Sequence, residues 1–136
     1  MGLNKRLIGA GATASGALTP TDNFKAILYT GTGSSNAITG VGFKPDLVII
    51  KNRDANDDWA WFDSTRGANV LSSNSTAAQS SFTFTFDTDG FTVPSTSGMT
   101  NGSGVNYVAF CFKSNGGTTS SNSDGTITST VQTNQA

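Results

Sequence analysis

The chain has no histidine and no glutamate, and its only cysteine is Cys111. Without histidine, the sequence excludes histidine-based catalytic triads and metal sites that use imidazole ligands. A single cysteine excludes an internal disulfide framework. No apolar run approaches the roughly 20 residues that a membrane-spanning helix needs. The sequence therefore predicts neither a histidine-dependent enzyme nor a membrane-spanning protein, and we expect no membrane partner.

Charge is also scarce, since charged residues make up 12% of the chain and the formal net charge is −1. The eight Lys and Arg residues are scattered, whereas nucleic-acid-binding proteins cluster them on one face to neutralise phosphates. We therefore expect no nucleic-acid partner. The basic pair Lys5-Arg6 is followed by a Gly- and Ala-rich stretch that is only weakly hydrophobic. A signal peptide needs a continuous apolar region at this position, so we do not expect one.

The abundant residues are small and polar, because Ser, Thr, Asn and Gly make up close to half of the chain. All nine acidic residues are Asp, which favours caps and turns over helix interiors. Nine Phe residues stand in short alternating runs within this background. The sequence predicts an all-β fold: an antiparallel β-sandwich, jelly-roll-like or concanavalin-like, of about seven or eight strands. A β-barrel remains the alternative.

Two segments give the sharpest strand signals. The run Leu47-Val48-Ile49-Ile50 has four consecutive branched residues, which predicts a central strand covered on both faces. Residues 82–86 alternate Phe with Thr, so one face should be buried and the other wet, and Asp89-Gly90 predicts a turn before a strand at 91–93. Further strands are predicted at residues 24–30, 37–43, 59–63, 69–73, 107–112 and 126–131.

Composition divides the chain into three parts. Residues 1–20 are predicted to be an extended, Gly- and Ala-rich N-terminal arm, and residues 21–113 the β-sandwich domain. Residues 114–136 are predicted to be a polar linker followed by a C-terminal edge strand or tail. Both terminal segments suit docking on neighbouring copies, because extended segments gain order by adding to sheet edges.

Aspartates are concentrated in one predicted turn. A two-aspartate glycosidase could use Asp54, Asp57, Asp58 and Asp63. The first three lie in the turn, however, where such side chains commonly hydrogen-bond their own backbone. A calcium loop is disfavoured because Trp59 stands where an EF-hand requires Gly. Residues 9–14 match a dinucleotide-binding pattern without the strand and helix it needs. We expect no enzymatic activity, no cofactor and no metal.

The residues around this turn are the candidate ligand or partner surface. Trp59 and Trp61 lie two apart, so they share a face if they belong to a strand. They could form a platform for a sugar or a partner, although we expect core packing as the commoner use of aromatics. Arg66 either pairs with Asp63 or faces a partner, and the sequence leaves both open. The candidate surface comprises Asp57, Asp58, Trp59, Trp61 and Arg66.

Five segments carry a resemblance to a known family. They are Gly42–Lys51, Asp57–Trp59, Phe62–Gly67, Phe86–Phe91 and Asn106–Lys113. In these segments the chain resembles a β-rich domain family that recurs in tail-fibre, tail-spike and other virion proteins of tailed bacteriophages, especially marine phages and cyanophages. The match spans about residues 24–131, and residues 5–14 are similar to the starts of phage appendage proteins.

The resemblance implies a non-enzymatic structural protein of the virion, either a capsid-decorating protein or a tail-appendage subunit. It implies assembly as a homo-oligomer, with a trimer expected, and other virion proteins as partners. The alternative is a receptor- or carbohydrate-binding module of a tail fibre, with a host-surface glycan as its ligand. Members of the family are often longer, so we expect either a fragment or a short, single-domain virion component.

Overall fold

The computed structural model describes residues 20–94, 97–114 and 119–132, so most of the predicted N-terminal arm lies outside the described residues. Within these ranges the chain is almost entirely β-structure, as predicted. The elements are α1 (Pro20–Asn23), β1 (Phe24–Thr30), β2 (Asn36–Thr39), β3 (Leu47–Asn52), β4 (Ala60–Asp63), β5 (Asn69–Ser72), β6 (Ser80–Ser81), β7 (Thr85–Asp87), β8 (Gly90–Val93), β9 (Asn106–Phe112), β10 (Thr119–Asn122) and β11 (Ser129–Gln132). No helix in the described ranges is long and apolar enough to cross a bilayer.

The larger sheet has six strands in the order β1-β9-β3-β4-β5-β6, and its paired strands are antiparallel. Strand β3 lies between β9 and β4, which confirms the central position predicted from its branched residues. Burial alternates along β3, so one face of the sheet is buried and the other is half-buried. The buried inner face carries Val48, Ile50, Ala60, Phe62, Val70, Tyr107, Ala109 and Cys111.

A smaller three-stranded sheet, in the order β2-β8-β7, packs over that inner face. Phe91 and Val93 of β8 are fully buried between the two layers. The ring of Tyr29 in β1 lies edge-on to Phe91, with ring centroids 6.1 Å apart. Two antiparallel sheets closed over a shared aromatic core form a β-sandwich, which confirms the predicted fold class.

The predicted hairpin after residue 86 is present, and its turn is hydrogen-bonded to the connection between β2 and β3. Strands β7 and β8 pair with Asp87 opposite Gly90, which leaves a two-residue turn. The carboxylate of Asp89 in this turn accepts hydrogen bonds from the backbone N–H groups of Gly40 (3.0 Å) and Gly42 (2.6 Å). These hydrogen bonds to the charged form hold the pKa of Asp89 below its usual range. The turn therefore fixes the connection between β2 and β3.

Three segments differ from the prediction. Residues 82–86 do not form one continuous strand: Phe82 donates its N–H to Ala68 beside the larger sheet (3.1 Å), and pairing with β8 begins at Thr85. The chain crosses between the sheets here, so Phe side chains face the core while the backbone pairing changes. Strand β2 is shorter than the predicted strand. Part of the predicted polar linker forms β10, which pairs with β11 as a separate two-stranded sheet.

Candidate functional site

A pocket of about 480 Å³ lies where two connections meet at one end of the sandwich. One is the β3–β4 connection, residues 53–59, and the other is the described part of the β8–β9 connection, residues 97–105. We call it the acidic pocket. Its walls are formed by Asn56, Asp57, Asp58, Ser97, Gly98 and Met99. Two of the five predicted candidate residues, Asp57 and Asp58, therefore line a cavity.

Asn52, the last residue of β3, organises the turn that forms one wall. It is only 4% exposed, and its Oδ1 accepts hydrogen bonds from the N–H groups of Asp54 (2.8 Å) and Ala55 (3.1 Å). Its Nδ2 donates to Asp57 Oδ2 (2.5 Å) and to the carbonyl of Gly98 (3.2 Å). One buried amide thus joins both walls of the pocket. Sequence reasoning missed Asn52 because it lies inside a strand rather than within the Asp-rich turn.

The sequence suggested that the aspartates of the turn bond their own backbone, but Asp54 and Asp58 have partners elsewhere in the chain. Asp54 Oδ2 accepts from the backbone N–H of Asn106 (2.7 Å) and from its side chain (3.1 Å). Asp58 Oδ1 accepts from Asn74 Nδ2 (2.7 Å), and Asn74 in turn accepts the N–H of Trp59 (3.1 Å). The expected bonding within the turn is therefore wrong, because these carboxylates connect separate parts of the chain.

Two stacked tyrosines hold the second wall. The ring centroids of Tyr29 and Tyr107 lie 5.2 Å apart, with an angle of 20° between the ring planes. The Tyr107 hydroxyl donates to the carbonyl of Gly98 (2.6 Å) and accepts the N–H of Gly102 (2.8 Å). The Tyr29 hydroxyl donates to the carbonyl of Thr100 (2.6 Å). Burial raises the pKa of both phenols, so they stay protonated and act as hydrogen-bonding anchors.

Asn101 is the polar centre of this loop and is fully buried. Its Nδ2 donates to the carbonyls of Ser34 and Pro94, each at 2.6 Å. Its Oδ1 accepts the backbone N–H of Thr32 at 2.9 Å. A buried amide with its bonds satisfied fixes the local chain path, so Asn101 ties the β1–β2 connection to the pocket loop. Nothing local in the sequence identifies it, because Thr32 and Ser34 lie 69 and 67 residues away along the chain and only Pro94 is on the same connection.

The two tryptophans are not core residues, so that expectation is wrong. Trp59 precedes β4 and is 37% exposed, next to Asp58 of the acidic pocket. Trp61 is half-buried on the face of β4 opposite to the core residues Ala60 and Phe62. Among the described residues its indole nitrogen is buried without a hydrogen-bond partner. Neither tryptophan therefore lines the acidic pocket, and Trp59 is connected to it as the chain neighbour of Asp58.

Arg66 pairs with Asp63, which settles the alternative that the sequence left open. The guanidinium Nε forms an ion pair with Asp63 Oδ2, and the Arg66 backbone N–H donates to Asp63 Oδ1 (2.9 Å). Arg66 Nη2 also donates to the Trp61 carbonyl at 3.4 Å. Burial by itself would raise the pKa of Asp63, but the hydrogen bonds and charge of Arg66 outweigh it and lower the pKa. Arg66 thus closes the turn after β4 and lies outside the acidic pocket.

The pocket can accept hydrogen bonds, and its two carboxylates, Asp57 and Asp58, are oriented by Asn52 and Asn74. Among the described residues no group of three or more His, Cys, Asp or Glu side chains could hold a metal ion. Cys111 is fully buried, and burial raises the pKa of its thiol to about 12, so it remains a neutral packed side chain. The arrangement suits the binding of a hydroxyl-rich ligand or a protein loop.

The fold and the pocket define a small antiparallel β-sandwich domain with loops gathered into a polar pocket at one end. The chain belongs to the family described as Domain of unknown function (DUF7483), whose sequence profile matches residues 19–136. No curated protein and no solved structure matches the chain.

Proposed function

We propose that this domain is a non-enzymatic structural subunit of a tailed-phage virion, as a capsid-decorating protein or a tail-appendage subunit. Assembly with other copies takes place through the C-terminal β-tail, together with the N-terminal arm. The placement in a virion rests on the sequence resemblance of segments such as Gly42–Lys51 and Asn106–Lys113. The assembly mechanism is supported by one observation, the hairpin formed by β10 and β11.

This hairpin forms a sheet of its own. Strands β10 and β11 pair over four residues, from Thr119 opposite Gln132 to Asn122 opposite Ser129, and neither strand joins the other two sheets. Its side chains are exposed along residues 119–131, apart from the half-buried Asn122. An isolated two-stranded hairpin is marginally stable in water, and its open edges can pair with another sheet. Adding the hairpin to a neighbouring subunit therefore stabilises it.

The test is a Val131→Pro variant, which removes a backbone donor from β11 while leaving both packed sheets untouched. We expect the variant to lose self-association in analytical ultracentrifugation and to keep the unfolding temperature of the sandwich. The matched control is Thr126→Pro, which lies in the connection between β10 and β11 and outside the paired residues. Deleting residues 1–20 is likewise expected to abolish assembly while the domain stays folded. Normal assembly of both the Val131→Pro variant and the truncated chain would overturn this mechanism.

A second candidate function is a receptor- or carbohydrate-binding module of a tail fibre. It is favoured by the exposed Trp59, which directly follows Asp58 of the acidic pocket, because glycans stack on exposed aromatic rings and bond to nearby carboxylates and amides. Trp59→Ala is expected to abolish glycan-array binding without unfolding the domain. Leu71→Ala is a matched control, since Leu71 is also 37% exposed but lies on β5. Equal loss of binding in both variants would exclude a site at Trp59.

A further inference from the structure

The face of the six-stranded sheet that points away from the core, which we call the outer face, is apolar across its centre. Strand register places five side chains next to one another on adjacent strands. They are Ala26 (β1), Phe110 (β9), Ile49 (β3), Trp61 (β4) and Leu71 (β5). Surface strands usually alternate apolar inward and polar outward residues. This sheet therefore has an apolar residue on both sides at most central positions.

The rows above and below extend this apolar surface. One contains Leu28, Val108 and Lys51, and the other contains Phe24, Phe112, Leu47 and Asp63. Every residue of the three rows is half-buried or exposed, in contrast to the fully buried inner face. Leu28 is 63% exposed and Phe24 is 39% exposed. Large apolar side chains thus remain in contact with water at the edge of the sheet.

The size of this surface places it within the range of protein interfaces. The three rows contain twelve positions, and with strands about 4.8 Å apart and rows about 7 Å apart they cover on the order of 400 Å². Apolar patches of this size on a monomer are often functional. Two such faces in contact bury on the order of 800 Å², an area typical of weak, reversible association rather than of a permanent interface.

The charges on the outer face favour an identical partner. Only Lys51 and Asp63 are charged among the three rows, and both are engaged. Lys51 Nζ donates to the carbonyls of Asn52 (2.9 Å) and Ala55 (3.1 Å), and Asp63 pairs with Arg66. An identical face brought opposite therefore meets one net charge, the Lys51 ammonium, whose hydrogen bonds to two carbonyls replace part of its hydration. A nucleic acid or anionic membrane would need a basic surface, and a glycan would need free polar groups.

We propose that the outer face is an interface between two copies of this chain, packed sheet against sheet with Ile49 and Phe110 at its centre. Such a pair is symmetric, since the same patch contributes from both copies. The proposal rests on the proposed function, because it names one of the surfaces through which the subunits assemble. It is separate from the C-terminal hairpin, which can join further copies by strand addition.

The test measures sedimentation of the full chain over a dilution series. We expect a reversible dimer whose dissociation constant rises about tenfold or more in Leu28→Glu and in Leu71→Glu, because each buries a charge at the contact. These residues lie on β1 and β5 and are exposed, so their replacement leaves the core unchanged. The matched control is Ile127→Glu, an apolar residue that is 81% exposed beside the C-terminal hairpin, and it should dimerise as the wild type does through the outer face.

A second measurement reports on the face directly. In a Trp59→Phe background, the emission of Trp61 should shift to shorter wavelength as concentration rises, because the partner sheet excludes water from its ring. Association that persists unchanged in Leu28→Glu and Leu71→Glu, with no shift of Trp61 emission, would overturn this interface and leave tail-mediated assembly standing. A wild-type chain that stays monomeric at all concentrations would overturn both proposals.

Discussion

The rings of Phe62 and Phe84 lie parallel, with centroids 4.0 Å apart and planes within 5°, and this pair joins the two layers of the sandwich. Phe62 belongs to β4 of the larger sheet, whereas Phe84 lies in the segment that crosses to the smaller sheet. The ring of Phe84 also stacks on that of Phe91 in β8, with ring centroids 5.5 Å apart and an angle of 15° between the ring planes. A single side chain thus bridges both sheets.

Phe84→Ala is expected to lower the free energy of unfolding by about 3–5 kcal/mol, because it removes a buried ring and leaves a cavity between two others. Phe82→Ala is the matched control, since Phe82 is only half-buried and contacts Phe62 from the side. Its effect should be clearly smaller. Urea denaturation of the three proteins measures both values, and equal losses would contradict the bridging role of Phe84.

Tyr107→Phe should destabilise the domain by about 1–3 kcal/mol, because it removes two hydrogen bonds, the one to the Gly98 carbonyl and the one from the Gly102 N–H, each worth about 0.5–1.5 kcal/mol. Tyr29→Phe removes one bond, to the Thr100 carbonyl, and should cost less. Hydrogen exchange provides the local measurement: the Gly102 amide should lose protection in Tyr107→Phe and keep it in Tyr29→Phe. Unchanged protection in both variants would show that the hydroxyls do not hold this loop.

Gly90→Ala is expected to be more damaging than Gly40→Ala. Both glycines have positive φ, +143° and +85°, so an added side chain strains the backbone at either position. At Gly90, however, a Cβ atom would lie 2.0 Å from the Ile38 carbonyl oxygen, whereas at Gly40 nothing lies within 4 Å. Thermal unfolding should place Gly40→Ala between the wild type and Gly90→Ala. The reverse order would mean that β2 and β8 are less closely paired than described.

Stability should fall on acidification because of Asp63 and Asp89. Both carboxyl groups have pKa values below the ordinary range in the folded protein. Their contribution to the free energy of unfolding is complete above the unfolded value of about 3.9 and is lost as pH falls through the lower folded values. Asp89→Asn should therefore make stability less steeply dependent on pH below about 4. Asp124→Asn, in the exposed β10–β11 connection, controls for the general loss of a negative charge.

Sequence patterns predicted the strands with strong apolar signals. Strands β1, β3 and β9 lie at the predicted residues because branched and aromatic side chains alternate there or run together. Strands β6 and β10 were missed, since Ser, Thr and Asn carry no apolar period. The single strand predicted over residues 82–86 failed for another reason: its Phe alternation reflects core packing, whereas backbone pairing depends on which sheet lies alongside.

Two of the five candidate residues, Asp57 and Asp58, line the acidic pocket, whereas the hydrogen bonds that position them were not predicted. The Asp-rich turn did mark a pocket wall, and the hairpin signal at Asp89-Gly90 marked a real turn. Two amides were not found: Asn52 because it lies inside a strand, and Asn101 because its partner Thr32 lies 69 residues away along the chain. Composition cannot distinguish a buried amide with satisfied bonds from the many exposed amides of this sequence.

The pairing of β1 with β9 has a consequence for synthesis. Phe24 lies opposite Phe112, and β9 also separates β1 from β3, so the first strand has no neighbour in its sheet until the ninth has been made. Closing so distant a contact carries a large entropic cost and is typical of slow folding. During synthesis on the ribosome, β1 therefore stays unpaired, with its apolar side chains exposed to solvent, until residue 112 has left the exit tunnel. A chain stalled before that point is the form most exposed to chaperones and to aggregation.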